Sequence, residues 1–245
     1  MNTTTPLPNT PVVDARGLVV SYSGTTVVDG LDLVVHPGTV HAFLGRNGAG
    51  KSTTLRVLLG LQRADAGTVN LFGQPWSKHS LRRLGASVDG PALYGHLSAT
   101  DNLTIHARLI GTSRARIDDV LNLVGLVGTG RKRVRSFSTG MKMRLALGIA
   151  LLGEPELLIL DEPQNGLDPQ GIVELRHLLR QHAARGGTVL VSSHQLGEVT
   201  HLADNATILS DGHSVYSGPL ADFAPADQLE QRFLDLTLDT VGGVQ

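Results

Sequence analysis

Apolar and β-branched residues dominate two early segments of the chain, residues 12–22 (VVDARGLVVSY) and residues 25–35 (TTVVDGLDLVV). A turn around Gly24 separates them, and this spacing predicts an antiparallel hairpin. Residues 39–45 (TVHAFLG) are a short apolar run that ends in glycine, which predicts a buried strand. The apolar spacing then changes to a helical period over residues 51–59. The first quarter of the chain therefore predicts a hairpin followed by a strand–loop–helix unit.

The rest of the chain alternates between strand and helix patterns. Residues 91–152 are mostly helical by period. Breaks in this helical stretch fall at Gly111, Gly125 and Gly130. A helix is also predicted at residues 169–186, and residues 226–240 form a short amphipathic tail. Further strands are predicted at residues 67–73, 156–163, 186–194 and 205–218.

Strands that alternate with helices predict an α/β fold with a mostly parallel core sheet, into which the long helical stretch is inserted. With 245 residues, the chain is long enough for one domain with a subdomain. We expect one domain over residues 12–237, with a helical subdomain at about residues 90–152. Residues 1–11 are expected to be a disordered lead, and residues 238–245 a C-terminal tail.

The composition narrows the classes of function. A net charge of -1 and a pI of about 6.8 argue against a nucleic-acid partner. The basic run RKRVR, residues 131–135, is interpreted as a solvated turn. The chain has no cysteine, and no apolar run approaches the roughly 20 residues needed to span a bilayer. We therefore expect a cytoplasmic chain, which would need a separate membrane-spanning partner to act at a membrane.

The segment GRNGAGKS, from Gly45 to Ser52, fits the phosphate-loop pattern G-x-x-x-x-G-K-[ST]. Glycines allow backbone N–H groups to wrap a polyphosphate, Lys51 reaches the outer phosphates, and Ser52 offers a hydroxyl ligand to Mg²⁺. The pattern follows a predicted strand and opens a predicted helix, as the motif requires. The residues predicted to hold the nucleotide phosphates are Gly45, Asn47, Gly48, Gly50, Lys51, Ser52 and Thr53.

The segment LLILDEP predicts a buried strand that ends in two carboxylates. Asp161 would lie beside the Mg²⁺ shell, and Glu162 is the candidate to polarise an attacking water. An ordinary acidic pair at a strand end is the alternative, and the presence of a phosphate loop favours the catalytic interpretation.

Two more side chains are candidates for nucleotide contact. His194 ends the apolar strand TVLVSSH, where it would either hydrogen-bond a terminal phosphate or be an ordinary strand-end histidine. Tyr22 lies at a strand end before the phosphate loop, where its ring would either stack on adenine or pack locally. The spacing of His194, Glu198 and His201 would also let them share a helix face and hold a metal, but no metal-binding motif surrounds them.

A second helix start suited to an anion is predicted in residues 135–152, RSFSTGMKMRLALGIALL. Its first turn carries Ser138, Thr139 and Gly140, where unpaired N–H groups and the positive end of the helix dipole favour negative charge. Because the phosphate loop already provides one such helix start, the second must serve another purpose.

The order of these motifs resembles the ATP-binding subunit of ABC transporters: the phosphate loop is followed by FSTGM, LLILDEP, NGLDP and His194. The resemblance covers about residues 12–237. It implies an ATPase with a P-loop NTPase (RecA-like) core, an antiparallel β subdomain and an inserted helical subdomain. It also implies ATP, Mg²⁺, and a homodimer or heterodimer of ATPase subunits that drives a transmembrane permease.

The resemblance also assigns roles to individual residues. Glu162 would be the catalytic base, His194 the γ-phosphate contact and Tyr22 the adenine stacker. Asp168, in NGLDP, would communicate between two nucleotide sites. The signature segment, which would cover the ATP held by the other protomer, comprises Ser138, Thr139, Gly140 and Met141.

Two departures from the family pattern point to a subgroup. The signature is FSTGM where the family usually has LSGGQ. Asp89 replaces the usual glutamine in the loop that senses Mg²⁺ and meets the membrane subunit, which makes it a further candidate for Mg²⁺ ligation and for coupling. GPALY after this acidic residue and FLDLT in the tail are similar to the bacitracin and lantibiotic resistance exporters, which carry Glu at this point.

The subgroup resemblance implies the ATPase subunit of an exporter for an antibiotic or antimicrobial peptide, bound peripherally to the inner face of the cell membrane. An importer subunit and a soluble ATPase without a transport role are the alternatives. Because such subunits contact the permease rather than the cargo, the sequence does not name the cargo.

Overall fold

The computed structural model describes residues 10–225 and 228–238. Most of the expected lead, the expected C-terminal tail beyond residue 238, and the side chain of Glu198 lie outside what is described. The strands are, in chain order, β1 (Val13–Tyr22), β2 (Thr25–Val35), β3 (Val40–Gly45), β4 (Ala66–Leu71), β5 (Gln74–Pro75), β6 (Leu84–Ser87), β7 (Leu157–Asp161), β8 (Thr188–Ser193), β9 (Asn205–Ser210) and β10 (His213–Pro219). The α-helices are α1 (Lys51–Leu58), α2 (Ala99–Ile110), α3 (Arg114–Leu123), α4 (Thr139–Leu151), α5 (Pro169–Ala184), α6 (Leu196–Val199), α7 (Leu220–Phe223) and α8 (Leu229–Leu238).

Four strands form an antiparallel sheet in the order β2–β1–β4–β5. The predicted hairpin is present, because Tyr22 pairs with Thr25 and Val13 pairs with Val35. Gly24 turns the hairpin with a φ of 85°, a left-handed conformation that glycine adopts without steric cost.

Six strands form the core sheet in the order β10–β9–β3–β8–β7–β6. The strands from β9 to β6 are parallel, and β10 runs antiparallel to β9 at one edge. Ala42 and Leu44 pack with residues of α4 and α5 on one face, while Phe43 packs with Leu55 of α1 on the other. Covering both faces buries every residue of β3 and β8, as a parallel sheet requires. The predicted mostly parallel sheet is confirmed.

The strand β6 is absent from the sequence-based prediction. Its sequence, LGAS, has neither the length nor the apolar alternation that indicates a strand. It pairs in parallel with β7 at the edge of the core sheet. Helix α4 lies so close that a Cβ on Gly85 would be 2.0 Å from the carbonyl oxygen of Ala150, so only glycine fits here.

Helices α2, α3 and α4 lie in the predicted helical region and share an apolar cluster of their own. Ser98 forms a capping box with Asp101 at the start of α2, and α2 ends at Gly111, whose φ is 76°. Residues 91–98 contain no helix, so the predicted helical stretch begins too early. The fully buried side chains of this cluster include Leu103, Leu126, Leu145 and Leu152.

His41, in β3, is a buried histidine with an unusual pKa. Its Nε2 atom lies 2.9 Å from the hydroxyl of Thr207. Burial, and to a lesser extent the nearby His36, lowers the pKa of His41 to about 3. The folded protein therefore keeps this ring neutral in mild acid, whereas the unfolded chain binds a proton there below its ordinary pKa of 6.5.

We expect His41 to make the protein sensitive to acid. As the pH falls below 6.5, only the unfolded chain takes up this proton, so the free energy of unfolding drops by about 2 kcal/mol at pH 5. His41→Gln removes the titration and retains a hydrogen-bonding side chain. Urea unfolding at pH 7 and pH 5 should show a smaller pH dependence in the variant by about that amount. Equal pH dependence in both proteins would contradict this assignment.

Candidate functional site

The phosphate loop connects β3 to α1, as predicted, and its glycines are favoured by close backbone approaches at Gly45 and Gly50 and by left-handed backbone at Gly48 and Gly50. A Cβ on Gly45 would be 2.8 Å from the carbonyl oxygen of Leu209, and one on Gly50 would be 2.9 Å from that of Val27. Gly48 and Gly50 have φ values of 87° and 102°, which L side chains rarely adopt. Of the other residues predicted to hold the phosphates, Asn47 is exposed and Thr53 is buried.

Lys51 is the first residue of α1 and is almost fully buried. Its ammonium group donates hydrogen bonds to the carbonyl oxygens of Gly45 at 2.7 Å and Arg46 at 3.3 Å. The same nitrogen lies 3.4 Å from Oε1 of Glu162. The loop therefore holds a positive charge at the N-terminus of a helix, where backbone N–H groups also lack acceptors within the helix, and this arrangement suits a phosphate chain.

Asp161 ends β7 beside the first turn of α1. Both of its carboxylate oxygens accept hydrogen bonds, from the Ser52 hydroxyl at 2.8 Å and from the Ser192 hydroxyl at 2.5 Å. The structure thus brings the predicted Ser52 and Asp161 together. Ser192 was not predicted, because it is one of two adjacent serines at the end of β8 and nothing in the sequence distinguishes it as a partner of Asp161.

Glu162 lies between two partners that the sequence predicted separately. Its Oε2 atom lies 2.8 Å from Nδ1 of His194, and its Oε1 faces Lys51. Its φ of 47° is left-handed, and its backbone N–H donates to the Ser192 hydroxyl at 2.9 Å. Such backbone strain is common where a side chain must be aimed at a site. Glu162, His194 and Lys51 therefore form one cluster next to the Ser52–Asp161 pair.

Gln164 supports the segment that carries His194, and sequence reasoning missed it. Its side-chain amide is buried and donates to the Ser193 hydroxyl at 2.6 Å. The same hydroxyl accepts from the backbone N–H of Gln195 at 3.0 Å. Gln164 thereby joins the loop after β7 to the end of β8, and the Ser193 hydroxyl also fixes the residue that follows His194.

The metal alternative at His194, Glu198 and His201 loses its geometric basis. Helix α6 covers only Leu196–Val199, so neither histidine lies on the helix face that the alternative required.

Asp89 occupies a different place from the one expected for a Mg²⁺ ligand. Its carboxylate is bound by both arms of the Arg56 guanidinium, with Nε 2.9 Å from Oδ2 and Nη2 bonded to Oδ1. It is not hydrogen-bonded to Ser52 or Asp161, both of which the structure describes. Asp89, and additionally the Tyr22 hydroxyl, raise the pKa of Arg56. Tyr22 is 40% exposed at the end of β1.

The signature segment begins α4, as predicted. Ser138 is the N-cap, and its hydroxyl accepts from the Met141 N–H at 3.2 Å. Thr139 packs against Gly166, where a Cβ would approach the Thr139 side chain to 2.5 Å. Asp168 caps α5 by accepting from the Gly171 N–H at 2.9 Å.

Among the described residues, no hydrogen bond joins Ser138 or Asp168 to Lys51 or Glu162. A cavity of about 530 Å³ lies between α4 and α5, with Leu147, Leu167 and Val173 in its wall, and it does not include the phosphate loop. This cavity is therefore separate from the residues predicted to hold the nucleotide phosphates.

Residues 28–165, more than half of the chain, match the family model described as ABC transporter. The chain belongs to the ABC transporter family. The match covers the phosphate loop, the signature segment and the two carboxylates at the end of β7. Family membership confirms the predicted resemblance and the predicted ATPase class of this ABC subunit.

Known proteins of this family align over most of the chain. The lantibiotic transport ATP-binding protein SrtF of Streptococcus pyogenes is 39% identical over 218 residues, which cover 89% of this chain and 94% of SrtF. The bacitracin transport ATP-binding protein BcrA of Bacillus licheniformis is 43% identical over 226 residues, covering 90% of this chain and 72% of BcrA.

A solved structure of an ATP binding subunit of an ABC transporter superposes on this ABC subunit with a TM-score of 0.82. The two are 29% identical, and the match covers 91% of this chain and 99% of the other. The predicted P-loop NTPase fold is therefore confirmed. Within residues 10–225 and 228–238, no helix combines the length and the hydropathy of a membrane span.

Proposed function

We propose that this ABC subunit binds ATP with Mg²⁺ and hydrolyses it to drive a separate membrane permease that exports an antimicrobial peptide or related antibiotic. The observation that carries the ATPase part is the Glu162 carboxylate, held between Lys51 and His194. The cargo class is supported by two relatives, whose names describe lantibiotic and bacitracin transport.

The phosphate loop is the proposed site for the ATP phosphates, because its backbone and its Lys51 ammonium form a positively charged cradle. Tyr22 is proposed to stack on adenine, since its ring is exposed at the strand end. The proposed phosphate-binding residues are Gly45, Asn47, Gly48, Gly50, Lys51, Ser52 and Thr53.

Ser52 and Asp161 are the proposed residues for Mg²⁺. Hydroxyl and carboxylate oxygens are ligands that Mg²⁺ prefers, and the two side chains already meet at 2.8 Å. Bound Mg²⁺ supplies charge neutralisation at the outer phosphates. Ser192 orients the Asp161 carboxylate through its second oxygen.

Glu162 is the proposed base that accepts a proton from the attacking water. His194 is the proposed contact for the terminal phosphate, and its bond to Glu162 orders both side chains. In this structure the Glu162 carboxylate also neutralises the Lys51 ammonium, a partner that the terminal phosphates of ATP would replace.

A dimer of ATPase subunits is proposed to complete each site. The α4 N-terminus offers N–H groups for an anion, yet no hydrogen bond ties Ser138 to the Lys51 cluster within the described part of the chain. The proposed trans-acting segment comprises Ser138, Thr139, Gly140 and Met141. Asp168, which caps α5 and lies two residues from Gly166 at the signature, is proposed to carry communication between the two sites.

Drug tolerance of a living cell tests the complete proposal. A host sensitive to bacitracin and lantibiotics should tolerate more of at least one of them when it makes this chain together with its partner permease, to be sought first among multi-span membrane proteins encoded by neighbouring genes. Either protein alone, or the pair with Glu162→Gln, should give no protection. Unchanged sensitivity despite ATP hydrolysis by the complex would contradict the cargo class, whereas absence of ATP hydrolysis would contradict the enzyme assignment.

A further inference from the structure

Helix α1 presents two polar side chains to two different carboxylates. Ser52 and Arg56 are four residues apart, so they share one face of the helix, about 6 Å apart along its axis. Ser52 meets Asp161 and Arg56 meets Asp89. The first pair belongs to the proposed Mg²⁺ site, and the second has no role in the proposed chemistry.

The two carboxylates leave the same edge of the core sheet. Asp161 ends β7, and Asp89 follows β6 by two residues. Because β6 and β7 are neighbouring parallel strands, both acids reach the edge that faces α1. The Arg56 guanidinium binds the Asp89 carboxylate in the bidentate geometry that arginine favours, while Asp161 contacts Ser52.

Asp89 starts a turn with an unfavourable backbone. Its φ is 63° and that of Gly90 is 84°, so two successive residues are left-handed. An aspartate tolerates this conformation better than most side chains but still at a cost. The chain then runs through residues 91–98 into α2, the first helix of the helical region. A contact that fixes Asp89 therefore fixes the point where the core sheet connects to the helical region.

Electrostatics gives a second reason why Arg56 is paired with Asp89. An unpaired carboxylate one helical turn from Ser52 would place negative charge near the proposed phosphate site. Arg56 neutralises that charge, and it lies on the same helix as the phosphate-binding Lys51. The side chains of Arg56 and Asp89 remain 37% and 47% exposed, so added salt should weaken their attraction.

We propose that Arg56 is a positioning residue: it fixes the loop that leads into α2 by holding Asp89, and so links the phosphate-binding helix to the helical region. The contact between Arg56 and Asp89 can be tested without nucleotide. We also expect that nucleotide bound at the start of α1 alters the loop through Arg56, and this second part rests on the proposed function.

A second ion pair of the same kind provides the control. Arg83 and Glu156 form a bidentate pair at the opposite end of the same two strands, immediately before β6 and β7. Their side chains are 38% and 56% exposed, close to the values of the Arg56–Asp89 pair. Glu156→Gln therefore removes a comparable attraction without touching the loop after β6.

Hydrogen exchange of the full chain, followed in peptides from residues 88–98, tests the positioning role. Arg56→Gln and Asp89→Asn should each raise exchange there about three- to fivefold, the size expected for one well-formed exposed ion pair. The double variant should exchange no faster than either single one, because both remove the same contact. Arg56→Lys, which retains the charge but loses the fork, should be intermediate, and about 1 M salt should bring wild type close to Arg56→Gln.

Wild-type exchange in Arg56→Gln, additive effects in the double variant, or an equal rise in Glu156→Gln would each overturn the proposal.

The same samples are then loaded with Mg-ADP. Wild type and Glu156→Gln should change their exchange at residues 88–98 while Arg56→Gln should not, although it binds ADP. An ADP response in Arg56→Gln equal to that of wild type would overturn the link, whereas failure of wild type to bind ADP would contradict the proposed function and leave the nucleotide-free result standing.

Discussion

Glu162→Gln is expected to slow ATP hydrolysis by about 10²–10⁴-fold, the usual contribution of a positioned general base. Glutamine has nearly the same shape as glutamate, but its amide cannot accept the proton of an attacking water. It also removes the charge that faces the Lys51 ammonium at 3.4 Å, so ATP should bind at least as tightly as in wild type. Phosphate release under saturating Mg-ATP measures the rate, and a fluorescent ATP analogue measures the affinity.

The same variant should accumulate as a dimer with ATP trapped inside, because closure no longer leads to hydrolysis. Light scattering with size exclusion should show twice the monomer mass in ATP and the monomer mass without it. Glu230→Gln, an exposed position on α8, is the matched control and should behave as wild type. Hydrolysis at the wild-type rate would show that Glu162 is not the base. A variant that stays monomeric in ATP would contradict the proposed dimer of ATPase subunits.

Lys51→Ala is expected to lower ATP affinity by about 10- to 100-fold, because a hydrogen bond to a charged group contributes about 1.5–3 kcal/mol. The Lys51 ammonium is held in place by the carbonyl oxygens of Gly45 and Arg46, so it is positioned before any phosphate arrives. Its loss also leaves the Glu162 carboxylate without its cation, which would repel phosphate. Calorimetric titration with ATP is the direct measurement.

Lys78→Ala, at an exposed position after β5, is the control for charge loss alone and should bind ATP normally. Thermal melting of both variants separates a loss of binding from a loss of fold. A folded Lys51→Ala protein with wild-type affinity would mean that the phosphate loop is not the nucleotide site.

Sequence reasoning predicted the elements whose signals are local. The hairpin of β1 and β2, the buried strands β3 and β7, and the helices α1 and α5 each follow from residue spacing within a single window. The phosphate loop was equally clear, since its glycines, Lys51 and Ser52 are contiguous in the chain. The geometry of a contiguous motif of this kind is set mainly by the local sequence.

Edge strand β6 and the beginning of the helical region were misjudged for the opposite reason. Four residues of LGAS carry no period, and β6 exists because β7 provides its hydrogen-bond partners and α4 packs on Gly85. Residues 91–98 precede α2 without forming a helix, because the capping box of Ser98 and Asp101 sets the start of α2.

Taken alone, the sequence determined which chemical groups this ABC subunit carries and which of them are neighbours along the chain. It did not determine the partners of those groups across the fold: that Ser192 holds Asp161, that Glu162 lies between Lys51 and His194, or that Arg56 binds Asp89. These contacts join residues 31 to 111 positions apart in the sequence. Only the pairing of strands and the packing of helices at their common sheet edge bring such groups within hydrogen-bond distance, and no local pattern records these long-range contacts.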